Sequence, residues 1–274
     1  MSTPDNKQAL YYEECNKDQN ESIIFLHGGG GSHIEWKHVA RQPSIASYHL
    51  ILVDLPMHSE SREIKPFTLE TAAHKVREVI CNRAHGGKAH VVGFSLGGFV
   101  ALALASRHPD TVLSTFATGA YPYRGLFKWV MERPTAMWIV GKLQSIPGLT
   151  ERAFKKQGID YEEWMVEQEK NKSPERDEAM RRELNEFSME DVRVVGDSGV
   201  RTCVVAGGKM DQVEAIKEMG VVLREAGKNK GVQNEAFVVR DAYHPWHLQL
   251  PELFASGVAA WVGNQELPKE FERL

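Results

Sequence analysis

The 274-residue sequence predicts an α/β fold, a mostly parallel sheet flanked by helices with a helical insertion. Three observations carry that expectation. Short apolar runs of five to seven residues recur along the chain. Helical patterns lie between most of them. Glycine or proline closes several of the runs. A strand buried on both faces reads as a continuous apolar run, and strands alternating with helices build a parallel sheet covered on both sides.

The runs follow in order. Ser22–His27 stops at four glycines, Gly28 to Gly31. Tyr48–Asp54 is closed by Leu55-Pro56. Ala89–Phe94, Thr111–Ala117, Thr202–Ala206 and Glu235–Val239 complete the set. Tyr11 and Tyr12 fit an antiparallel edge strand near the start. Thr68 is placed to cap a helix whose Ala72, Val76, Val79 and Ile80 share one face. Leu96 to Arg107 reads as a buried helix, with Pro109 just beyond its end. Val213 to Ala226 reads as a helix with Gly227 as its C-cap, and Phe254 to Val262 as the last helix. From Glu151 to Arg193 about half the residues are charged, against 26% for the whole chain. No strand-like run occurs there. Ser173-Pro174 is a good helix start, with Met180, Leu184 and Phe187 on one face. The expected organisation is therefore a core of residues 1–120 and 196–274 with a helical cap at 121–195.

Composition excludes several functions. A formal charge of −4 argues against nucleic acid or an anionic membrane as the main partner. No apolar run approaches the roughly 20 residues of a membrane span. The polar start, Met1 to Gln8, has no basic-then-apolar signal pattern. Cys15, Cys81 and Cys203 are far apart and odd in number, which fits a reducing, cytoplasmic compartment rather than a disulfide scaffold. No tight ligand pattern such as H-E-x-x-H occurs among the histidines, so no metal is expected, and nothing implies an organic cofactor.

Two motifs carry chemistry. Gly93-Phe94-Ser95-Leu96-Gly97 matches G-x-S-x-G, directly after one strand-like run and at the start of an alanine-rich helix. That setting puts a nucleophilic serine on a tight strand-to-helix turn. The second motif, His27 followed by Gly28 to Gly31, ends the first run. Its unobstructed backbone N–H groups suit an oxyanion site, with Gly28 or Gly29 giving one donor and Leu96 the other. Neither dinucleotide nor P-loop spacing is met.

The glycine run and the serine turn, in this order and spacing, resemble those of the α/β-hydrolase fold family. Asp54-Leu-Pro-Met-His-Ser59 is similar to that family's turn after the next strand. The resemblance spans about Ser22 to Val262 and implies a serine hydrolase whose nucleophile, acid and histidine come in that chain order. Gly207-Gly-Lys-Met-Asp211 resembles the family's acid turn, which makes Asp211 the implied acid, with Asp197 and Asp241 as weaker candidates. The family places its histidine seven residues before a proline-glutamate pair. His244 has that relation to Pro251-Glu252, and His247 is the alternative. Tyr243 and Gln249 depart from the family's small residue and glutamate. The implied substrate is a small or medium carboxylic ester, thioester or lactone with apolar parts. Phe94, Tyr121, Tyr123, Trp129, Trp138, Trp164 and Trp246 are candidate pocket residues. The same constellation also serves carbon–carbon bond hydrolases and cofactor-free lyases, or a small-molecule receptor with little turnover. Oligomeric state is not readable from the sequence.

Overall fold

Each of the six apolar runs is a strand in the computed structural model, which describes residues 9–133, 135, 149–159 and 161–274. The chain begins with β1 (Tyr12–Cys15) and β2 (Ser22–Leu26), then the single turn α1 (Lys37–Ala40) and β3 (His49–Val53). Next come α2 (Leu69–Arg83), β4 (Ala89–Phe94), α3 (Leu96–Arg107) and β5 (Val112–Thr118). Helices follow: α4 (Gly125–Met131), α5 (Leu149–Gln157), α6 (Tyr161–Lys170), α7 (Pro174–Glu186) and α8 (Met189–Asp197). The chain closes with β6 (Arg201–Gly207), α9 (Val213–Gly227), β7 (Glu235–Val239), α10 (Trp246–Gln249), α11 (Pro251–Val262) and β8 (Phe271–Arg273).

The strands form one sheet in the order β1-β3-β2-β4-β5-β6-β7-β8. β2 to β7 run parallel to their neighbours. β1 pairs antiparallel with β3, Tyr12 opposite Val53, and β8 antiparallel with β7. β8 has no signature in the sequence pattern. It has three residues, and only Phe271 is buried.

Side-chain alternation explains why the runs are largely apolar at successive positions. Ile24 and Leu26 of β2 enter one core with Val76 and Ile80 of α2 and Val100 of α3. Ile23 and Phe25 enter the other with Trp36, Trp246 and Phe254. Successive residues of a strand face opposite sides, so both faces must be fed from one run. Each fully buried Ile or Phe contributes about 1.5–3 kcal/mol. A one-residue slip would exchange the two sets, which fixes the register.

Thr68 caps α2, its side chain accepting from the Thr71 N–H. Ser173 caps α7 with Pro174 in its first turn. Leu184 and Phe187 are buried, while Met180 packs partly buried beside them. Gly227 is not the left-handed C-cap expected: its φ is −69°, and the chain turns left-handed at Gly231 (φ 67°). Gly227 is small for another reason, since a Cβ there would lie 2.6 Å from Asn234 Nδ2.

Between β5 and β6 the described residues hold helices and no strand. α8 runs across the border expected at 195/196. Its Val192 and Val195 are buried in the same core as α3 and α9. Among the described residues no helix is long and apolar enough to cross a membrane. The parallel strands bring the loops after β2, β4, β5, β6 and β7 to one sheet edge, where open α/β sheets bind ligands.

Candidate active site

Ser95 sits between β4 and α3 with φ 49° and ψ −116°. A non-glycine residue in this region costs of order 1–3 kcal/mol, and such strain persists only where surrounding bonds enforce it. Ser95 N–H donates to Thr118 O at 2.8 Å, and Gly97 N–H donates to His27 O at 3.0 Å, so both neighbouring strands hold the turn. A Cβ on Gly97 would lie 2.0 Å from Leu26 O, and one on Gly93 would lie 2.2 Å from Gly97 O. Only glycine permits that approach. The Ser95 side chain is partly exposed and makes no hydrogen bond to a described residue.

Asp211 and His244 meet across 33 positions of sequence. His244 Nδ1 donates to Asp211 Oδ1 at 2.5 Å. The other carboxylate oxygen, Oδ2, accepts the Gly207 N–H at 2.7 Å. The Asp211 side chain is fully buried, whereas that of His244 is 30% exposed. The imidazole lies flat enough on Gly119 that a Cβ there would touch Cε1 at 2.6 Å. The departures at 243 and 249 reinforce this loop. Gln249 Oε1 accepts the Tyr243 N–H at 2.9 Å, and Gln249 Nε2 donates to Asp241 O at 3.3 Å. Asp241 is 93% exposed and pairs with Lys209. Asp197 is exposed at the end of α8. Neither takes the place of Asp211. His247 is buried against the ring of Phe94, with Trp36 and Phe254 also in contact.

The glycine loop corrects one expectation. Gly28 N–H is not free, since it donates to Glu35 Oε2 at 2.8 Å. Burial alone would raise the Glu35 pKa, but His247, His27 and the Gly28 N–H outweigh it and hold Glu35 below the usual carboxylate range. Gly29 and Leu96 N–H groups have no partner among the described residues. His27 Nε2 accepts the Leu55 N–H at 3.0 Å, so Nδ1 carries the proton and donates to Gly28 O at 2.7 Å. Gly31 N–H also donates to Gly28 O. In a trans peptide C=O and N–H point opposite ways, so tying Gly28 O to the interior turns Gly29 N–H outward.

The pocket candidates separate. Phe94 is buried with its ring 4.8 Å from that of His244, and a Cβ on Gly28 would meet it at 2.7 Å. Tyr121 is buried and Tyr123 half-buried, with ring centroids 6.2 Å apart. Burial raises both phenol pKa values, and for Tyr121 the charge of Asp211 adds to it. Trp246 does not line a pocket. It is 0% exposed in the core, and its indole N–H donates to Thr118 Oγ1 at 2.8 Å. Trp129 is 48% exposed on α4 with the Arg133 guanidinium over its ring. Trp138 and the side chain of Trp164 lie outside the described residues. Two residues at this site had no sequence signal: Glu35, within a short helical stretch, and Asn171, which bonds Gly30 and Gly31 from 141 and 140 positions away.

Comparisons with known proteins agree with this architecture. A family profile described as alpha/beta hydrolase fold matches residues 21–140. An "AB hydrolase superfamily protein" of Gibberella zeae is 29% identical over 284 residues, covering 99% of this chain and 90% of that protein. A pimeloyl-(acyl-carrier protein) methyl ester esterase of Neisseria meningitidis is 36% identical over 105 residues, 38% of this chain and 31% of the relative. A solved structure from a study of Nitrososphaera gargenis carboxylesterases superposes with a TM-score of 0.71 at 18% identity, covering 96% of this chain and 98% of that one. Strand order, the strained serine turn and these similarities lead to one assignment: the chain has the alpha/beta hydrolase fold.

Proposed function

We propose that this hydrolase cleaves a small or medium carboxylic ester, thioester or lactone with apolar parts, by acyl transfer to Ser95. The His244–Asp211 hydrogen bond at 2.5 Å, beside a serine held at φ 49°, is the observation that carries the reading. His244 takes the Ser95 proton as the hydroxyl attacks the carbonyl and returns it to the leaving group. Asp211 fixes the Nδ1–H tautomer and stabilises the imidazolium. Leu96 N–H, at the positive end of α3, and Gly29 N–H hold the tetrahedral oxyanion. Water then attacks the acyl-enzyme with His244 again as base. Phe94 and Tyr121 give the pocket apolar walls. No cofactor enters these steps.

The described residues of the insertion at 121–195 are the proposed cap over this edge, with Val192 and Val195 of α8 buried against the core. The esterase and carboxylesterase similarities support ester cleavage in general. The acyl and leaving groups are the finer part of the proposal. The test is turnover of p-nitrophenyl esters of varied chain length with product analysis. Ser95→Ala is expected to lower kcat by roughly 10⁴ or more. Wild-type turnover in that variant rejects the mechanism. No turnover on the ester panel, with hydrolysis of a diketone to a ketone and an acid, moves the reading to carbon–carbon cleavage.

A further inference from the structure

The run Gly28 to Gly31 poses a physical problem. Glycine loses more conformational freedom on folding than any other residue. An oxyanion donor acts only if it is already aimed before reaction. Something outside the loop has to hold it. Every carbonyl of the run is hydrogen-bonded. Gly28 O is held from within the core by His27 and Gly31. The next three are held from the insertion: Gly29 O accepts from Gln168 Nε2 at 3.4 Å, and Gly30 O and Gly31 O both accept from Asn171 Nδ2 at 3.0 Å.

Asn171 is built for this. It directly follows α6 and is only 5% exposed, in a region otherwise rich in surface charge. Its amide makes three bonds, all to backbone of distant loops. Besides the two glycine carbonyls, Oδ1 accepts the Ser59 N–H at 2.6 Å, and Ser59 stands at φ 43° in the turn after β3. Asn171 O accepts from the guanidinium of buried Arg176, which pairs with Asp177. Asn171 thus ties the glycine loop, the β3 turn and the start of α7 together. The nearby Lys170–Glu60 pair is more exposed and contributes little by comparison.

We propose that Asn171 is a positioning residue of the oxyanion site: it fixes the Gly30 and Gly31 carbonyls that follow the Gly28–Gly29 peptide, so that Gly29 N–H, turned outward by the core's hold on Gly28 O, stays aimed at the reacting carbonyl. The proposal rests on the acyl-transfer reading given above. It makes the insertion part of the catalytic machinery as well as a cover over the substrate.

The experiment compares Asn171→Asp and Asn171→Ala with wild type on p-nitrophenyl acetate. Asn171→Asp keeps Oδ1 for Ser59 but replaces the donor to Gly30 and Gly31 with a carboxylate oxygen that repels their carbonyls, whereas Asn171→Ala removes the donor without adding charge. Deleting an oxyanion donor outright costs about 10²–10³ in kcat, and loss of its positioning is expected to cost roughly 10- to 100-fold. KM is expected to stay within about twofold. A trifluoromethyl ketone, which forms an oxyanion on the serine, loses affinity by the same factor as kcat. The matching methyl ketone, as a ground-state inhibitor, keeps its Ki. Circular dichroism and melting establish that the variants are folded. If neither folds, Asn171→Gln carries the test, with its amide displaced by one methylene and kcat lowered several-fold at constant KM. A folded variant with kcat within about twofold of wild type overturns the proposal. So does an equal loss of affinity for both ketones. Labelling of wild-type Ser95 by a fluorophosphonate separates the two readings. Without it, acyl transfer and this proposal fall together. With labelling and unaltered kcat in Asn171→Asp, only the positioning role falls.

Discussion

The two glycine-rich segments at the site are held in opposite ways. Around Ser95, Gly93 and Gly97 are small because backbone lies against backbone, with Cβ clashes of 2.2 and 2.0 Å against carbonyl oxygens. That turn is fixed by the sheet itself. In the loop after β2, a Cβ on Gly29 or Gly30 would meet the ends of the Met180 and Gln168 side chains instead. That loop is held at Gly28 from the core and at Gly29 to Gly31 by side chains of the insertion. One half of the site is therefore as rigid as the core, and the other depends in part on the packing of the insertion against it.

Four expected outcomes sharpen or break this contrast, from largest to smallest. Asp211→Asn, in the sheet-held half, is expected to leave the fold intact and lower kcat by about 10⁴, as loss of the orienting carboxylate does in other triads. Steady-state kinetics with a melting curve checks both parts. An unchanged rate would remove Asp211 from the mechanism. Gly97→Ala forces a methyl against Leu26 O, which cannot move without distorting β2. A loss of about 3 kcal/mol or more, or failure to fold, is expected in urea unfolding. Gly30→Ala meets only the far end of Gln168, but its φ is 79°. The expected cost is about 1–2 kcal/mol of stability, with a few-fold drop in kcat. Equal damage from the two glycine variants would erase the distinction between the segments.

The smallest effect is a pH slope. His27 and His58 lie behind the loop, rings 4.9 Å apart. Burial lowers both pKa values, that of His58 well below its usual range. The unfolded chain binds these protons near pH ~6.5 and the folded chain does not. Stability is therefore expected to fall as pH drops from about 7 to 5, by at most about 1.4 kcal/mol per unit for each histidine. His33 works against this. Burial would lower its pKa, but the bond to Asp54 and its charge raise it. Its contribution is complete below pH ~6.5 and is lost as pH rises through its folded value. Melting temperatures of wild type and His58→Gln between pH 7.5 and 5 test the sum, with the shallower acid slope expected for the variant.

What the sequence made legible was local. β2 to β7 announce themselves because each is one uninterrupted apolar run, and the serine turn because strand, motif and helix are contiguous. Asp211 and His244 are legible only through a family resemblance, since the 33 positions that separate them carry no periodic link. The misses are features that leave no local pattern. β8 has too few residues to show alternation. Trp246 reads as a pocket aromatic until Thr118, 128 positions away, takes its N–H inside the core. Gly28 reads as a free donor until Glu35 is seen to occupy it. Asn171 reads as one polar residue in a charged stretch, and only the folded chain shows that it bonds two glycine carbonyls.

The central claim is that Ser95 is an activated nucleophile paired with His244 and Asp211. Intact-protein mass spectrometry after treatment with a fluorophosphonate tests it most directly. One adduct is expected, mapped to Ser95, absent in Ser95→Ala and strongly slowed in His244→Ala. No adduct on the wild type, or an undiminished adduct in Ser95→Ala, would contradict it.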